Sequence, residues 1–252
     1  QLWTYLTRIV TGDLGESVPF GQSIQTLVAS RMEPSAYLIT YGLLLAVIFG
    51  GVLGVFAAVR SGTVADFTLR ILATALLAMP AFWVGLVLAL SFGSAWGLFP
   101  VSGYQPGLVG AFRTLTLPAI AIALSLVAVV LRTLRSSMKR VLDSEYIEAA
   151  RARGYSENRV LARHALRNAV TPTISIVAVV VGFLIGGTAV IEQVFSIPGL
   201  GSLLVQAVER RDYPVVQAVA LLAGTVVIVA GLVADLLQAA LDPRVRNAIR
   251  NG

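Results

Sequence analysis

DSEYIEAARARGYSENRVLARHALRN, residues 143–168, is the longest charge-rich run in a chain of 252 residues that is 57% hydrophobic and only 13% charged. Long apolar segments flank it on both sides, so its placement fixes which parts of the chain meet water and which meet lipid. Soluble domains carry about a quarter of their residues as charges, and a chain this poor in them favours several spanning helices over one large core. Within the run, Glu148-Ala149-Ala150 is followed after three residues by Gly154. Asp143 or Ser144 is placed to cap a first helix through Tyr146, Ile147, Ala149, Ala150 and Arg153. Gly154 falls where a left-handed C-terminal cap is wanted. Ser156 is placed to cap a second helix, with Val160, Leu161, Ala165 and Leu166 on one face. A helix, a forced turn and a second helix make a compact knob with a small-residue surface and a basic rim. On charge alone it reads either as a solvated amphipathic linker or as a shape that enters a groove on a partner.

Working outward, residues 37–59 contain no charge, and 23 helical residues rise about 34 Å, enough for a bilayer core. Gly50, Gly51 and Gly54 share one face of it and suit close helix contact. Residues 69–92 form a second span interrupted at Met79-Pro80, where Pro80 is a candidate gating hinge. A third is expected over 117–133, with Pro118 in its first turn. A fourth covers 172–191, and a fifth covers 214–241, closed by Asp242-Pro243. The expected fold class is therefore all-α: a polytopic membrane protein with five transmembrane helices in this chain. Residues 1–35 read as short helices outside the membrane, one around Trp3–Ile9 and one over 22–31 that Pro34 ends. Trp96, Phe99, Tyr104, Tyr37 and Tyr41 are placed as interface anchors.

Orientation follows from the cations. Fourteen of the 19 Lys and Arg residues fall in the loops of one side: Arg60 and Arg70, nine between Arg132 and Arg167, and Arg244, Arg246 and Arg250. Five fall on the other: Arg8, Arg31, Arg113, Arg210 and Arg211. The positive-inside rule places the 139–168 loop and the tail 242–252 in the cytoplasm, and residues 1–35 and the 192–213 loop outside. An external residue 1 implies a sixth, N-terminal spanning helix upstream. The net charge of +6 is then topology, with no nucleic-acid partner implied.

Little catalytic chemistry is available. Cysteine is absent, His164 is the single histidine, and no metal-ligand spacing exists. The single lysine, Lys139, lies between Met138 and Arg140, so a Gly-Lys-Ser/Thr phosphate loop cannot be built. His164 has no recognisable Ser or Cys partner and reads as structural or partner-contacting. Glu192, at the outer end of the fourth span, reads as solvated, and Asp235 as a helix-end acid near water or arginine. An ion-coupled secondary transporter would want ionisable groups at mid-membrane, and the first four spans hold none there.

Glu148-Ala149-Ala150-x3-Gly154, followed after nine residues by His164-Ala165-Leu166-Arg167, resembles the EAA loop of binding-protein-dependent ABC importer permeases. That family often continues with Ile-x-Leu-Pro, and Arg167 stands where the proline would be. His164 to Asn168 is instead similar to one half of the dipeptide/oligopeptide permease subfamily. Gly12-Asp13-Leu14-Gly15-x-Ser17, Pro80-x-Phe82-Trp83-x-Gly85, Val194-Phe195-x-x-Pro198-Gly199-Leu200-Gly201, Arg211-Asp212-Tyr213-Pro214 and Asp242-Pro243-Arg244 agree in order, and the early block fits the first permease of the pair. The resemblance covers nearly the whole chain. It implies the type I permease fold, with a permease domain over 36–241, in the plasma (inner) membrane of a prokaryote. Tyr146, Glu148, Ala149, Ala150, Arg153, Gly154, Tyr155, His164 and Arg167 would form the ATPase-coupling surface. The implied partners are a second homologous permease, two cytoplasmic ATPase subunits or domains that bind ATP and Mg, an external substrate-binding protein and the bilayer; this chain would hold no cofactor. The cargo implied is short peptides, with haem or nickel as alternatives in similar frames.

Overall fold

The computed structural model describes residues 14–241. The expectations for residues 3–9, for Gly12-Asp13, for Asp242-Pro243-Arg244 and for the tail 242–252 lie outside the described residues. In chain order the elements are β1 (Glu16–Ser17), β2 (Gln22–Ser23), α1 (Ile24–Val59), α2 (Val64–Ala78), α3 (Ala81–Ala95), α4 (Leu108–Leu142), α5 (Glu145–Ala152), α6 (Glu157–Ala169), α7 (Thr171–Val194), α8 (Leu200–Glu209) and α9 (Tyr213–Leu241). β1 and β2 pair antiparallel, Glu16 opposite Ser23. The end of α3, Ala89–Ala95, and the middle of α6, Val160–Leu166, wind as π-helix.

The five expected spans fall on α1, the pair α2–α3, α4, α7 and α9, and the count reaches five only where each bent helix pair, α2–α3 and α6–α7, crosses as one span. Three of them, α1, α4 and α9, are unbroken helices long and apolar enough to cross a bilayer. α7 follows α6 with a 45° bend at Val170. α4 is the enclosed helix: 72% of its most apolar stretch is buried, against 33% for α1 and 17% for α9.

Two boundaries differ from the sequence expectation, both at prolines. Pro34 does not end a short helix; it lies inside α1, which begins at Ile24. Proline removes one helical hydrogen bond, but leaving the helical path would free several more backbone groups. The next residue, Ser35, is also fixed by contacts to Glu192 and to Leu200 N–H. Pro118 likewise lies inside a longer helix, ten residues after its start, not in its first turn. Thr114 and Thr116, in the turn before Pro118, donate back to the Gly110 and Phe112 carbonyls, a habit that helices tolerate by bending slightly. The Met79-Pro80 break occurs as expected. Met79 adopts an extended conformation (φ −88°, ψ 125°), as a residue before proline is pushed to do.

The chain forms two compact units. Among the described residues one comprises 14–42, 82–121 and 182–226, the other 43–81, 122–181 and 227–241. The core of the first gathers Ile24, Leu27, Leu203, Ala207, Val215 and Val219. In the second, α1 meets α4 closely: a Cβ on Gly50 would lie 2.8 Å from Val130 Cβ, and one on Gly54 would lie 3.1 Å from Leu131 O. Gly51, expected on the same face, looks into open space. Where lipid is as apolar as the side chains, such close backbone contact supplies much of the association.

Candidate functional site

The 143–168 run folds as a two-helix knob, α5 and α6, on the end of α4. Ser144 occupies the N-cap of α5, but its hydroxyl donates to Val141 O and caps nothing. The helix dipole is met instead by Glu145 and Glu148 in the first turn. At the other end Gly154 has φ +79°, its N–H bonds Arg151 O at 2.9 Å, and Tyr155 N–H reaches Ala150 O at 3.3 Å. These are the two bonds of a Schellman stop, which needs a residue in the left-handed region and so favours glycine. Arg151 then spans the turn to Glu157 with contacts of 2.7 and 3.1 Å, and this carboxylate holds the Arg151 guanidinium above its ordinary pKa.

The knob has its own interior. Ile147, Ala150, Val160, Ala165 and Ala169 are buried with Ala58, Leu134 and Met138, so it is seated on α1 and α4. The π-turn of α6 brings Val160 and Ala165, five apart, onto the same inward face. Glu148, Ala149, Arg153, Gly154 and Arg167 are exposed. The Glu-Ala-Ala triplet is thus divided: Glu148 and Ala149 face out, while Ala150, expected on the surface, is a packing residue. Tyr146 O–H reaches His164 O, and Asn168 Nδ2 donates to both at 3.0 and 2.9 Å. His164 stacks on Tyr155 at 5.5 Å, with the Arg159 guanidinium 4.8 Å from the Tyr155 ring centre. His164 therefore braces α6 against the turn. The exposed surface that results is rigid and edged with Arg151, Arg153, Arg159, Arg163 and Arg167.

The remaining motifs interlock in the other unit. Phe195 is buried against Gly85, where a Cβ would lie 3.0 Å from its ring. Glu192, read from the sequence as solvated, is fully buried. Its carboxylate accepts from Ser35 Oγ and from Ser202 N–H, each at 2.7 Å, and so satisfies one of the orphan donors at the start of α8. Leu200 N–H is satisfied by Ser35 Oγ at 2.7 Å. Gly201 is required because a Cβ would strike the Ala189 backbone, 2.6 Å from its Cα, and a Cβ on Gly199 would press on the Glu192 carboxylate. The buried Asp212 receives the Ser17 hydroxyl and caps α9 through Val215 N–H. Tyr104, expected as an interface anchor, donates to Glu33 at 2.9 Å; burial and then that carboxylate push its phenol up to about 12. Tyr41 stacks on Phe112 instead of standing free. Asp235 is exposed on α9. Asp66, which the sequence reading did not single out, is buried with Arg135 at 2.5 and 2.7 Å; its only sequence cue is an acid beside Thr63 at a helix start.

A multi-span helical scaffold that presents a braced polar knob between spans is the architecture of a membrane transport subunit. The chain belongs to the family described as "Binding-protein-dependent transport system inner membrane component", whose sequence profile matches residues 50–247. It is the membrane-spanning permease component of an ABC importer. It is similar to the glutathione transport system permease protein GsiC of Escherichia coli O6:H1, 38% identical over 246 residues, which cover 98% of this chain and 79% of the relative. A Brucella ovis protein described as a peptide permease is 35% identical over 255 residues, with the same coverage. Its fold matches that of a chain of the MetNI methionine ABC transporter in an inward-facing conformation, with TM-score 0.71 and 16% identity over 90% of this chain and all of that one. A chain of an amino acid ABC transporter matches with TM-score 0.63 and 15% identity, over 85% of this chain and 94% of that one.

Proposed function

We propose that this permease carries short peptides into a prokaryotic cytoplasm, as the first of two homologous permeases, and that the α5–α6 knob couples it to ATPase subunits. The observation that carries the coupling is the division of the 143–168 run. Ile147, Ala150, Val160, Ala165 and Ala169 are spent on seating the knob against α1 and α4, while Glu148, Ala149, Arg153, Gly154 and Arg167 are left facing out. A knob seated in this way transmits a push on its surface to the spanning helices. ATP and Mg are bound by the partner ATPases, two per transporter, and an external binding protein delivers the cargo. The peptide reading rests on the 35–38% identity to proteins described as glutathione and peptide permeases. Pro80, between α2 and α3, is the hinge at which the path changes tilt.

The experiment is ATP-driven uptake by the reconstituted transporter. Gly154→Pro removes the Gly154 N–H bond to Arg151 O and forbids φ +79°. Uptake and ATPase association are expected to be lost with membrane insertion unchanged; full uptake by this variant would refute the coupling role. Uptake of a di- or tripeptide, against haem and nickel as alternatives, tests the cargo separately.

A further inference from the structure

We propose that the second unit carries a binding site for an anionic phospholipid, with its phosphate held by Arg70, Arg132 and Arg135. These arginines, with Thr74 and Ser136, line a cavity of about 340 Å³. Three guanidinium groups face one carboxylate. Asp66 is nearly sealed, its oxygens occupied by Arg135 at 2.5 and 2.7 Å and by Gly62 N–H at 3.1 Å, and Arg70 reaches it only at 3.7 Å. Arg132 is exposed with no carboxylate partner among the described residues. Two positive charges are therefore left unanswered around a polar cavity.

The cavity adjoins apolar surface. Arg70 and Thr74 also line a neighbouring groove of about 490 Å³ with Phe67, Ile71, Ala75 and Ala78. Their spacing of four, four and three residues puts these side chains on one face of α2. From Arg70 to Ala78 the helix rises about 12 Å, an apolar track that leads away from the cations. Phe67 and Ile71 are more than half exposed. A free phosphate or a carboxylate would use the cations and leave this track empty. A phospholipid fills both, with its headgroup at Arg70, Arg132 and Arg135 and its acyl chain along Ile71, Ala75 and Ala78. Basic pockets between spanning helices suit such headgroups. The inference goes beyond the transport reading and does not depend on the cargo.

The test is native mass spectrometry of the assembled transporter, delipidated and returned to vesicles of phosphatidylglycerol or phosphatidylcholine. The expected result is selective retention of phosphatidylglycerol. Arg70→Gln with Arg132→Gln should weaken retention by roughly fivefold for each cation removed, about 25-fold together. Arg60→Gln, whose guanidinium lies over Phe56 and does not line this cavity, should retain as the parent does. Arg132→Lys keeps the charge and guards against misfolding: it should recover most of the retention. Equal retention of the two lipids, or unchanged retention in the double variant, overturns the proposal. Competition by glycerol phosphate as effective as by the lipid identifies a free-anion site and overturns it too. Competition by a peptide but not by its C-terminal amide points to a cargo site, with the same consequence. So does retention by the isolated chain that disappears on assembly with the second permease.

Discussion

The Glu192 carboxylate ties α7 to two other helices, accepting from the Ser35 hydroxyl of α1 and from the Ser202 N–H of α8. Glu192→Ala strands the Ser35 hydroxyl and Ser202 N–H at about 1–3 kcal/mol for each buried donor left without a partner. Thermal unfolding in detergent micelles should therefore fall well below the parent, with Glu192→Gln, which keeps one acceptor, in between. Its neighbours offer a sharper contrast. A Cβ on Gly201 would sit 2.6 Å from Ala189 Cα, whereas Gly186 and Gly187 on α7 have nothing within 4 Å. Gly201→Ala should lower the unfolding temperature, because backbone cannot yield as a side chain does. Gly186→Ala should hold or raise it, since alanine is favoured over glycine in a helix interior by up to about 1 kcal/mol. Equal effects at the two sites would show that packing around α8 is not what fixes the glycines.

The α5–α6 knob owes more of its shape to the backbone at one residue than to its surface charges. Gly154→Ala forces a Cβ into the left-handed region and should cost about 1–2 kcal/mol. Arg151→Ala removes an exposed pair whose partners are 43% and 54% exposed, and such pairs contribute about 0–1 kcal/mol. Uptake and ATPase affinity should accordingly suffer more from Gly154→Ala, and a reversal would make the basic rim, not the turn, the coupling element. This knob was readable in the sequence because its decisive signal is local: Gly154 acts within a few residues of itself, and the apolar face of α6 repeats along the helix, whereas Ser144 and Ser156, expected as caps, occupy the N-cap positions without a side-chain bond to their helices. The unbroken spans α1, α4 and α9 were readable for the same reason, since lipid demands long uncharged helices whatever they pack against. The helix starts at Ile24 and Leu108 were not, because Pro34 and Pro118 are punctuation in a lone helix and are overridden by neighbours here. The roles of Glu192 and Asp66 were hidden too. Their partners lie 157 residues away at Ser35 and 69 residues away at Arg135, and no spacing along the chain announces them.

Membrane topology decides whether the whole molecule can work as an importer permease, and the chain is well suited to a direct test because it contains no cysteine. The distribution of 19 cations, fourteen on one side and five on the other, is the physical ground for the orientation: loops rich in arginine are retained in the cytoplasm during insertion. Single cysteines can be placed at exposed sites that the fold does not need. Asn158 in α6 faces out of the knob, and Ser102 lies in the exposed stretch between α3 and α4. Asn158→Cys should react with a membrane-impermeant maleimide only after the membrane is opened, and Ser102→Cys should react in intact spheroplasts. A third position, Val208→Cys on α8, whose side chain is 59% exposed, should follow Ser102. Labelling of Asn158→Cys from outside would place the knob away from any cytoplasmic ATPase and remove the coupling function with it. Agreement of all three would put α8 and the knob on opposite faces of the membrane, so that one side of the chain is free for a binding protein and the other for the motor.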